Sequence, residues 1–167
     1  MRIIYQSKTI IIREFLPAEV GLFTGLFEDE AVTRYLPPRS PEQYIGLFNI
    51  ALEDYGKGLL SRWGIFNATN DDFIGICLGR DFVEVPGQLE IGYVLSQAYW
   101  GKNVGTEVCL ALKHYLFDHT EVKEVVAVTA PDNIGSQKVL EKSGFKRAEN
   151  LVREGDEIAY FIVQRPA

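Results

Sequence analysis

A short run with two glycines lies between a strand pattern and a helix pattern, and it is the clearest chemical signal in the sequence. It reads Trp-Gly-Lys-Asn-Val-Gly-Thr at positions 100–106. The preceding stretch, Leu-Glu-Ile-Gly-Tyr-Val-Leu at 89–95, predicts a strand, and an amphipathic helix pattern starts at Val104. Such a turn points backbone N–H groups outward, and the helix adds the positive end of its dipole. The arrangement predicts binding of an anion, most naturally a phosphate or pyrophosphate.

Taken alone, Gly101 and Gly105 have a plainer alternative, a tight connection that binds nothing. The run is not a P-loop, because Gly105 is followed by Thr106 and Glu107 instead of Lys and Ser or Thr. Nor is it a dinucleotide fingerprint, which needs a third glycine and follows the first strand of its unit. A second segment favours a ligand site. It reads Ala-Pro-Asp-Asn-Ile-Gly-Ser-Gln-Lys-Val-Leu-Glu-Lys-Ser-Gly-Phe at positions 130–145.

Together the two segments resemble those of the GNAT superfamily of acetyl-CoA-dependent N-acetyltransferases. The variant is close to the RimJ/RimL-like branch, which acetylates the N-termini of ribosomal proteins. In that branch the turn looks like Tyr-Trp-Gly-Lys-Gly-x-Ala-Thr-Glu, and the later segment looks like Asn-x-x-Ser-x-x-Val-Leu-Glu-Lys-x-Gly-Phe. The resemblance is detailed over Leu89 to Phe145 and looser at Thr9–Glu14 and at Tyr35-Leu36-Pro37. It implies acetyl-CoA as the co-substrate and an amine as the acceptor.

The resemblance also implies which residues hold the cofactor. The backbone of Tyr93, Val94 and Leu95 is expected to pair with the amides of the pantetheine arm, as an added strand would. Asn133 has two compatible roles, as a helix cap and as an amide contact to the same arm. The turn is expected to hold the pyrophosphate, through Trp100, Gly101, Lys102, Asn103, Val104, Gly105 and Thr106.

One position in the turn departs from the family pattern, because Asn103 stands where glycine is preferred. After glycine, asparagine best tolerates a left-handed backbone. We therefore expect the turn to survive. Lys102 has two interpretations, a charge near the phosphates or a merely solvated side chain.

Acetyl transfer to an amine requires a neutral amine, a polarised thioester carbonyl and a thiolate that can leave. At pH 7 an α-amine with a pKa of about 8 is neutral in roughly one molecule in ten, and a lysine amine in roughly one in two thousand. An α-amine therefore needs only modest help from a general base, whereas lysine needs a strong base or desolvation.

Glu90 is the first candidate for the general base, because it lies on the central strand beside the expected acetyl position. The alternative is a structural glutamate bound to neighbouring backbone or to an arginine such as Arg80. Many family members donate a proton from a tyrosine at the position that Leu140 occupies in this chain. A leucine side chain cannot donate a proton. The ribosomal branch shares this departure and has a serine where this chain has Ser136. The alternative for Ser136 is a first-turn helix serine with a local hydrogen bond.

The acceptor stays open between a protein N-terminal α-amine and a small-molecule amine such as a polyamine, an amino acid or an antibiotic. Tyr35, Tyr44 and Trp63 are candidates for the wall of the acceptor site, and burial in the core is the alternative for all three. Two other classes of function remain as alternatives. One is a catalytically silent acyl-CoA-binding module, and the other is a phosphate- or nucleotide-binding protein unrelated to acetyl transfer.

Composition limits the choice further. The chain has 167 residues, of which 47% are hydrophobic and 24% charged, which predicts one domain over residues 1–167. A net charge of −6 argues against nucleic acid as a partner and suits a cationic substrate. No apolar run is long enough to span a membrane, and the first residues are too quickly polar for a signal peptide. Cys77 and Cys109 are expected to be buried thiols, which indicates a cytoplasmic location. His114 and His119 lack a partner at ligand spacing, so no metal is expected.

The elements that must position these residues follow from the patterns in order. After an opening strand at Thr9–Arg13 come two helices, three antiparallel strands, a helix, a strand, a helix and two strands. This order predicts an α/β fold with a mixed, mostly antiparallel sheet flanked by helices. The resemblance implies that the fourth and fifth predicted strands, Gln88–Leu95 and Lys123–Ala130, splay apart to admit the pantetheine arm. The oligomeric state stays open, with a homodimer as one alternative.

Overall fold

Strands and helices alternate along the chain, and the computed structural model describes them over residues 1–167. The strands are β1 (Ile3–Gln6), β2 (Ile10–Arg13), β3 (Arg62–Asn67), β4 (Phe73–Asp81), β5 (Leu89–Leu95), β6 (Glu124–Thr129), β7 (Lys146–Arg153) and β8 (Asp156–Gln164). The helices are α1 (Val20–Leu26), α2 (Glu30–Thr33), α3 (Pro41–Asp54), α4 (Val104–His119) and α5 (Ile134–Lys142). None of the helices combines the length and the apolar character that crossing a bilayer requires.

The strands form a mixed sheet in the order β1-β2-β3-β4-β5-β6-β8-β7. The pair β5–β6 is parallel, and β1–β2, β2–β3, β3–β4, β6–β8 and β7–β8 are antiparallel. The parallel register joins Leu89 to Val125 and Glu90 to Val126 and then stops, although β5 continues to Leu95. The predicted fold class, a mostly antiparallel sheet flanked by helices, is confirmed. Pairing ends on the strands that the family resemblance expects to separate.

The sequence patterns miss β1. The strand is short, its side chains are partly exposed, and it lies at the edge of the sheet, so it carries little hydrophobic alternation. A turn at Ser7 joins it to β2, and the Ser7 hydroxyl oxygen accepts the N–H groups of Thr9 and Ile10 at 3.1 and 3.2 Å. Strand β2, which was expected to open the sheet, therefore lies inside it, between β1 and β3.

The chain forms two compact units. Unit 1 comprises Met1–Leu78 and Tyr93–Val104. Its core is rich in phenylalanine, and the ring of Phe15 packs edge-on against Phe23, Phe48 and Phe66 at centroid distances of 5.7, 5.5 and 6.3 Å. Helix α3 starts with the predicted serine cap, since Ser40 and Gln43 exchange side-chain and backbone hydrogen bonds.

Unit 2 comprises Gly79–Gly92 and Gly105–Ala167. A small core forms around Val126, where the rings of Phe82 and Tyr160 stack at 5.5 Å. Cys109 on α4 is a buried free thiol, as expected, and burial raises its pKa to about 12. Arg165 holds the C-terminal end of α4, because its guanidinium donates to the carbonyl oxygens of Phe117, Thr120 and Val122 at 2.6 to 2.9 Å. A cation at this end also stabilises the helix dipole.

Within unit 1, β4 and the end of β5 approach closely at Gly75. A Cβ atom at this position would lie 2.2 Å from the carbonyl oxygen of Val94 and 3.0 Å from the Cα of Leu95. The backbones can approach this far only because residue 75 has no side chain. A hydrogen bond from Ser96 N to Ile74 O, 2.8 Å long, also holds the end of β5 against β4.

Candidate active site

The turn before α4 has the backbone that the sequence predicts. Gly101 has a φ of +72° and Asn103 a φ of +63°, so both adopt the left-handed region. The N–H groups of Lys102, Asn103 and Val104 donate to no acceptor in the protein. Helix α4 follows directly and is 16 residues long. The expectation that Asn103 tolerates the left-handed backbone is confirmed. The turn offers free donors at the positive end of a helix, where an anion is stabilised.

Two aromatic residues tie this turn to other parts of unit 1. The indole N–H of Trp100 donates to the carbonyl oxygen of Leu95 at 2.9 Å, which joins the turn to the end of β5. Tyr99 accepts a hydrogen bond from the side-chain amide of Asn67 at 3.3 Å. The Nζ of Lys102 lies 5.6 Å from the centroid of the Tyr99 ring. Sequence reasoning missed Tyr99 and Asn67, because no local pattern links two residues that are 32 positions apart.

The end of β5 carries the backbone expected to meet the pantetheine arm. Leu95 is buried, and Tyr93 and Val94 are half-buried. Val94 packs against the phenylalanine core of unit 1, and its carbonyl oxygen faces Gly75. The position of this backbone segment therefore depends on both the core and the glycine.

Helix α5 begins at the predicted cap. The Oδ1 of Asn133 accepts the N–H of Ser136 at 3.2 Å, which confirms the capping role. Ser136 is half-buried in the first turn, and Leu140 packs into the core with 2% exposure. The helix ends at Lys142. Gly144, two residues later, has a φ of +90°, and Phe145 N donates back to Leu140 O at 3.0 Å. The contact of Asn133 to pantetheine and the proton transfer by Ser136 stay predictions.

Glu90 lies in a cluster of ion pairs within unit 2 and is only 3% exposed. Its Oε1 accepts hydrogen bonds from Arg80 Nε at 2.9 Å and from Arg153 Nη2 at 3.3 Å, and its Oε2 accepts from Arg153 Nη1 at 3.2 Å. Arg153 also binds both oxygens of Glu84, at 2.6 and 2.9 Å. The pair with Arg80 is the contact that the structural interpretation of Glu90 expected. The contact with Arg153 was not foreseen.

The cluster leaves Glu90 a single site for a further donor. A carboxylate oxygen has two acceptor positions, and both positions of Oε1 are occupied by arginine. Oε2 accepts one hydrogen bond and retains one position. This acceptor position belongs to a side chain that is only 4% exposed.

The aromatic candidates for the acceptor wall differ in their exposure. Trp63 is fully buried, and Tyr44 is 7% exposed and stacks on Phe27 at 4.0 Å. Burial raises the pKa of Tyr44. Burial in the core, the alternative for these residues, describes Trp63 and Tyr44 in this structure. Tyr35 is half-buried, and the guanidinium of Arg34 lies 5.1 Å from its ring centroid.

Comparison with known proteins identifies the family to which these features belong. Residues 9–146 match the family model described as the acetyltransferase (GNAT) domain. The chain belongs to the GNAT acetyltransferase family. GNAT enzymes use acetyl-CoA and acetylate an amine. The turn at Gly101–Val104 fits this cofactor for two reasons. It leaves three N–H groups free, and a Cβ atom added at Gly101 would have no neighbouring atom within 4 Å.

Individual GNAT proteins resemble this chain to different extents. A probable N-acetyltransferase of Bacillus subtilis (strain 168), YjcK, is 36% identical over 100 residues, which is 58% of this chain and about half (54%) of that relative. RimL, a ribosomal L7/L12 alpha-N-protein acetyltransferase in complex with coenzyme A, has a TM-score of 0.80 at 16% identity and covers 98% of both chains. The aminoglycoside acetyltransferase AAC(6')-Ib, also with coenzyme A, has a TM-score of 0.80 at 17% identity over 94% of this chain and 95% of that one. At these identities the two structures show a shared fold.

Proposed function

We propose that this GNAT enzyme transfers the acetyl group of acetyl-CoA to the α-amine of a protein N-terminus. The observation that supports acetyl-CoA as the donor is the turn, whose left-handed Gly101 and Asn103 leave free N–H donors at the start of α4 in a chain of this family. The choice of an α-amine rests on the resemblance of the two motifs to the RimJ/RimL-like branch. A small-molecule amine is the second candidate, because the fold is shared equally with an aminoglycoside acetyltransferase. Buried free thiols support a cytoplasmic location.

The binding roles follow from the turn and from β5. The N–H groups of Lys102, Asn103 and Val104 would donate to the pyrophosphate, together with those of Gly105 and Thr106 in the first helical turn, which have no intrahelical acceptor. Trp100 would hold the turn in place through its bond to Leu95. The backbone of residues 93–95 would pair with the amides of the pantetheine arm.

The catalytic roles fall on unit 2. Acetyl-CoA supplies a thioester whose carbonyl carbon accepts the amine nitrogen. Glu90 would take the ammonium proton, directly or through a water molecule, while Arg80 and Arg153 hold its carboxylate in place. The hydroxyl of Ser136 would donate a proton to the departing thiolate, directly or through water.

The protonation of the acceptor favours an α-amine over a lysine side chain. An acceptor with a pKa of about 8 is neutral often enough to need only weak assistance. A lysine amine, with a pKa of about 10.4, would need a strong base or desolvation.

We expect Glu90→Gln to lower turnover mainly at low pH. Below about pH 8 the acceptor α-amine is protonated and needs a base, whereas above its pKa the free amine reacts without one. The loss should be roughly tenfold or more at about pH 6.5 and should shrink as the pH rises. Initial rates between pH 6 and 9, with thermal unfolding as a control for the broken ion pairs, make the measurement. A loss that is the same at every pH would make Glu90 a structural residue.

We expect Ser136→Ala to lower kcat by roughly 10–100-fold, with acetyl-CoA affinity nearly unchanged. General acids usually raise the rate by about 10²–10⁴-fold. Because a thiolate whose thiol has a pKa of about 8.5 leaves readily, we expect the effect on kcat to lie at or below the lower limit of that range. Ser136→Cys should restore part of the rate, since a thiol also donates. Steady-state kinetics and acetyl-CoA titration separate the two parameters. Full activity in Ser136→Ala would show that water alone protonates the thiolate.

A panel of amines tests the function itself. The enzyme is incubated with acetyl-CoA and one acceptor at a time. The acceptors are peptides with free N-termini, the same peptides blocked at the α-amine but carrying lysine, polyamines, amino acids and aminoglycosides. Release of free thiol and the mass of the product are followed. The proposal expects the free peptides to react fastest. Faster acetylation of a small molecule would favour the second candidate. Stabilisation by acetyl-CoA without thiol release from any amine would indicate a silent acyl-CoA-binding module.

A further inference from the structure

Arg80 presents unused hydrogen-bond donors beside Glu90. Its Nε donates to Glu90 Oε1 at 2.9 Å, and its Nη1 and Nη2 atoms donate to no protein atom. The side chain is 42% exposed, although Glu90 beneath it is 4% exposed. Because Nε is the tethered atom, the edge formed by the two Nη groups points away from Glu90. That edge carries two parallel N–H donors, the arrangement that matches a carboxylate.

The other arginines of unit 2 have their guanidinium groups occupied by the protein. Arg153 binds Glu84 and Glu90 with all three nitrogens. Arg147 binds the side chains of Gln137 and Asn150, and Arg165 binds three carbonyl oxygens. These contacts give each of the three arginines a role in stabilising the fold. Arg80 differs, because its position is fixed by a buried partner while its donor edge stays free.

The charges around Arg80 leave room for an anion. Glu84 and Glu90 are balanced by Arg153 and Arg80, and both oxygens of Glu84 already accept hydrogen bonds from Arg153. Asp81 is the next residue on β4, and its side chain points to the opposite face of the sheet. No protein carboxylate therefore competes for the free edge of Arg80.

We propose that the free edge of Arg80 binds a carboxylate of the acceptor. This inference rests on the part of the proposed function that both candidate acceptors share, acetyl transfer to an amine, and names a chemical feature of the acceptor. The acceptor carries a carboxylate close to its amine. The carboxylate belongs either to an amino acid or to an acidic side chain near the N-terminus of a peptide, since both offer the same two oxygens to the guanidinium fork.

The test compares acceptors that differ in this group, with each rate corrected for the fraction of neutral amine. One pair is a free amino acid and its amide, and the other is an amide-capped peptide with Asp at the second position and its Asn counterpart. The wild-type enzyme should prefer the acidic member of at least one pair by roughly tenfold or more in kcat/KM, because a charge-assisted bidentate contact is lost with the neutral member. The pair that responds identifies the source of the carboxylate.

Substitutions of Arg80 assign the preference to that residue. Arg80→Lys keeps a cation beside Glu90 but removes the fork, and Arg80→Met removes both. The preference should fall to a few-fold in Arg80→Lys and disappear in Arg80→Met, while acetyl-CoA affinity stays unchanged. A purely structural role would lower the rates on both members of a pair equally and leave their ratio unchanged. Arg2→Lys is the matched control, since Arg2 is 41% exposed and also paired with a glutamate, Glu14, and its ratio should not change.

Two results would overturn the inference. One is a wild-type enzyme that acetylates amines without any preference within either pair, which leaves the proposed function intact. The other is a preference that survives in Arg80→Lys and in Arg80→Met. If no amine in the panel is acetylated at all, the proposed function fails, and the carboxylate site fails with it. Thermal unfolding of each variant confirms that the ratios come from folded protein.

Discussion

Gly75→Ala is expected to destabilise the protein by about 3 kcal/mol or more, because the added Cβ would lie 2.2 Å from a backbone oxygen that cannot rotate away. For a chain of this size, this corresponds to a fall of about 6–12 °C in the melting temperature. The clash pushes the Val94–Leu95 backbone away from β4, so acetyl-CoA binding should weaken in the fraction that remains folded. Thermal unfolding with and without acetyl-CoA measures both effects.

Gly46→Ala is the matched control for this result. Gly46 lies within α3, and a Cβ there would meet nothing within 4 Å. Since alanine favours the helix over glycine, this substitution should be neutral or stabilise by about 0.5–1 kcal/mol. If Gly75→Ala behaved like Gly46→Ala, the close approach of β4 and β5 at Gly75 would not exist in solution.

Gly101→Glu is expected to weaken acetyl-CoA binding by at least tenfold. Residue 101 has a left-handed backbone that costs an ordinary residue about 1–2 kcal/mol, and the new carboxylate would repel the phosphates at the turn. Nothing lies within 4 Å of the added Cβ, so a clash in the core does not contribute. Isothermal titration with acetyl-CoA gives the dissociation constants. Unchanged affinity in the folded variant would refute the phosphate-binding role of the turn.

Two further variants separate the effect of the left-handed backbone from the effect of where the new charge lies. Gly87→Glu introduces the same charge at another exposed glycine with a positive φ, +93°, and its acetyl-CoA affinity should equal that of the wild type. Asn103→Gly should keep or improve binding, since glycine enters the left-handed region freely and Asn103 already adopts it at +63°. A large loss in Asn103→Gly would mean that the asparagine side chain itself contacts the cofactor.

The sequence predicts the elements of this site that depend on local chemistry. Helix α4 runs from Val104 to His119 as its apolar periodicity indicates, because a helix is specified by residues within a few positions of each other. The left-handed Asn103, the cap at Asn133 and the buried Leu140 also follow from nearby residues. Each is a case in which one side chain and its immediate backbone decide the structure.

The features that escape prediction depend on register between distant strands. Arg153 binds Glu90 across 63 positions, and a bulge between Ala148 and Leu151 shifts the alternation that would otherwise indicate which face Arg153 takes. The approach of Val94 to Gly75 likewise depends on how β4 and β5 pack, which no count of apolar residues reveals. Trp63 illustrates the same difficulty, since an aromatic residue on a strand can face a pocket or the core, and here it is fully buried.

The place of β8 in the sheet has a consequence for synthesis on the ribosome. Strand β6 pairs with β5 on one side and with β8 on the other, although β8 is made after β6, α5 and β7. Until Asp156–Gln164 has emerged, the apolar edge of β6 has no partner and is exposed to other chains. Arg153, which completes the surroundings of Glu90, emerges just before this strand. A nascent chain therefore completes the ion-pair cluster around Glu90 and covers the edge of β6 at nearly the same stage of translation.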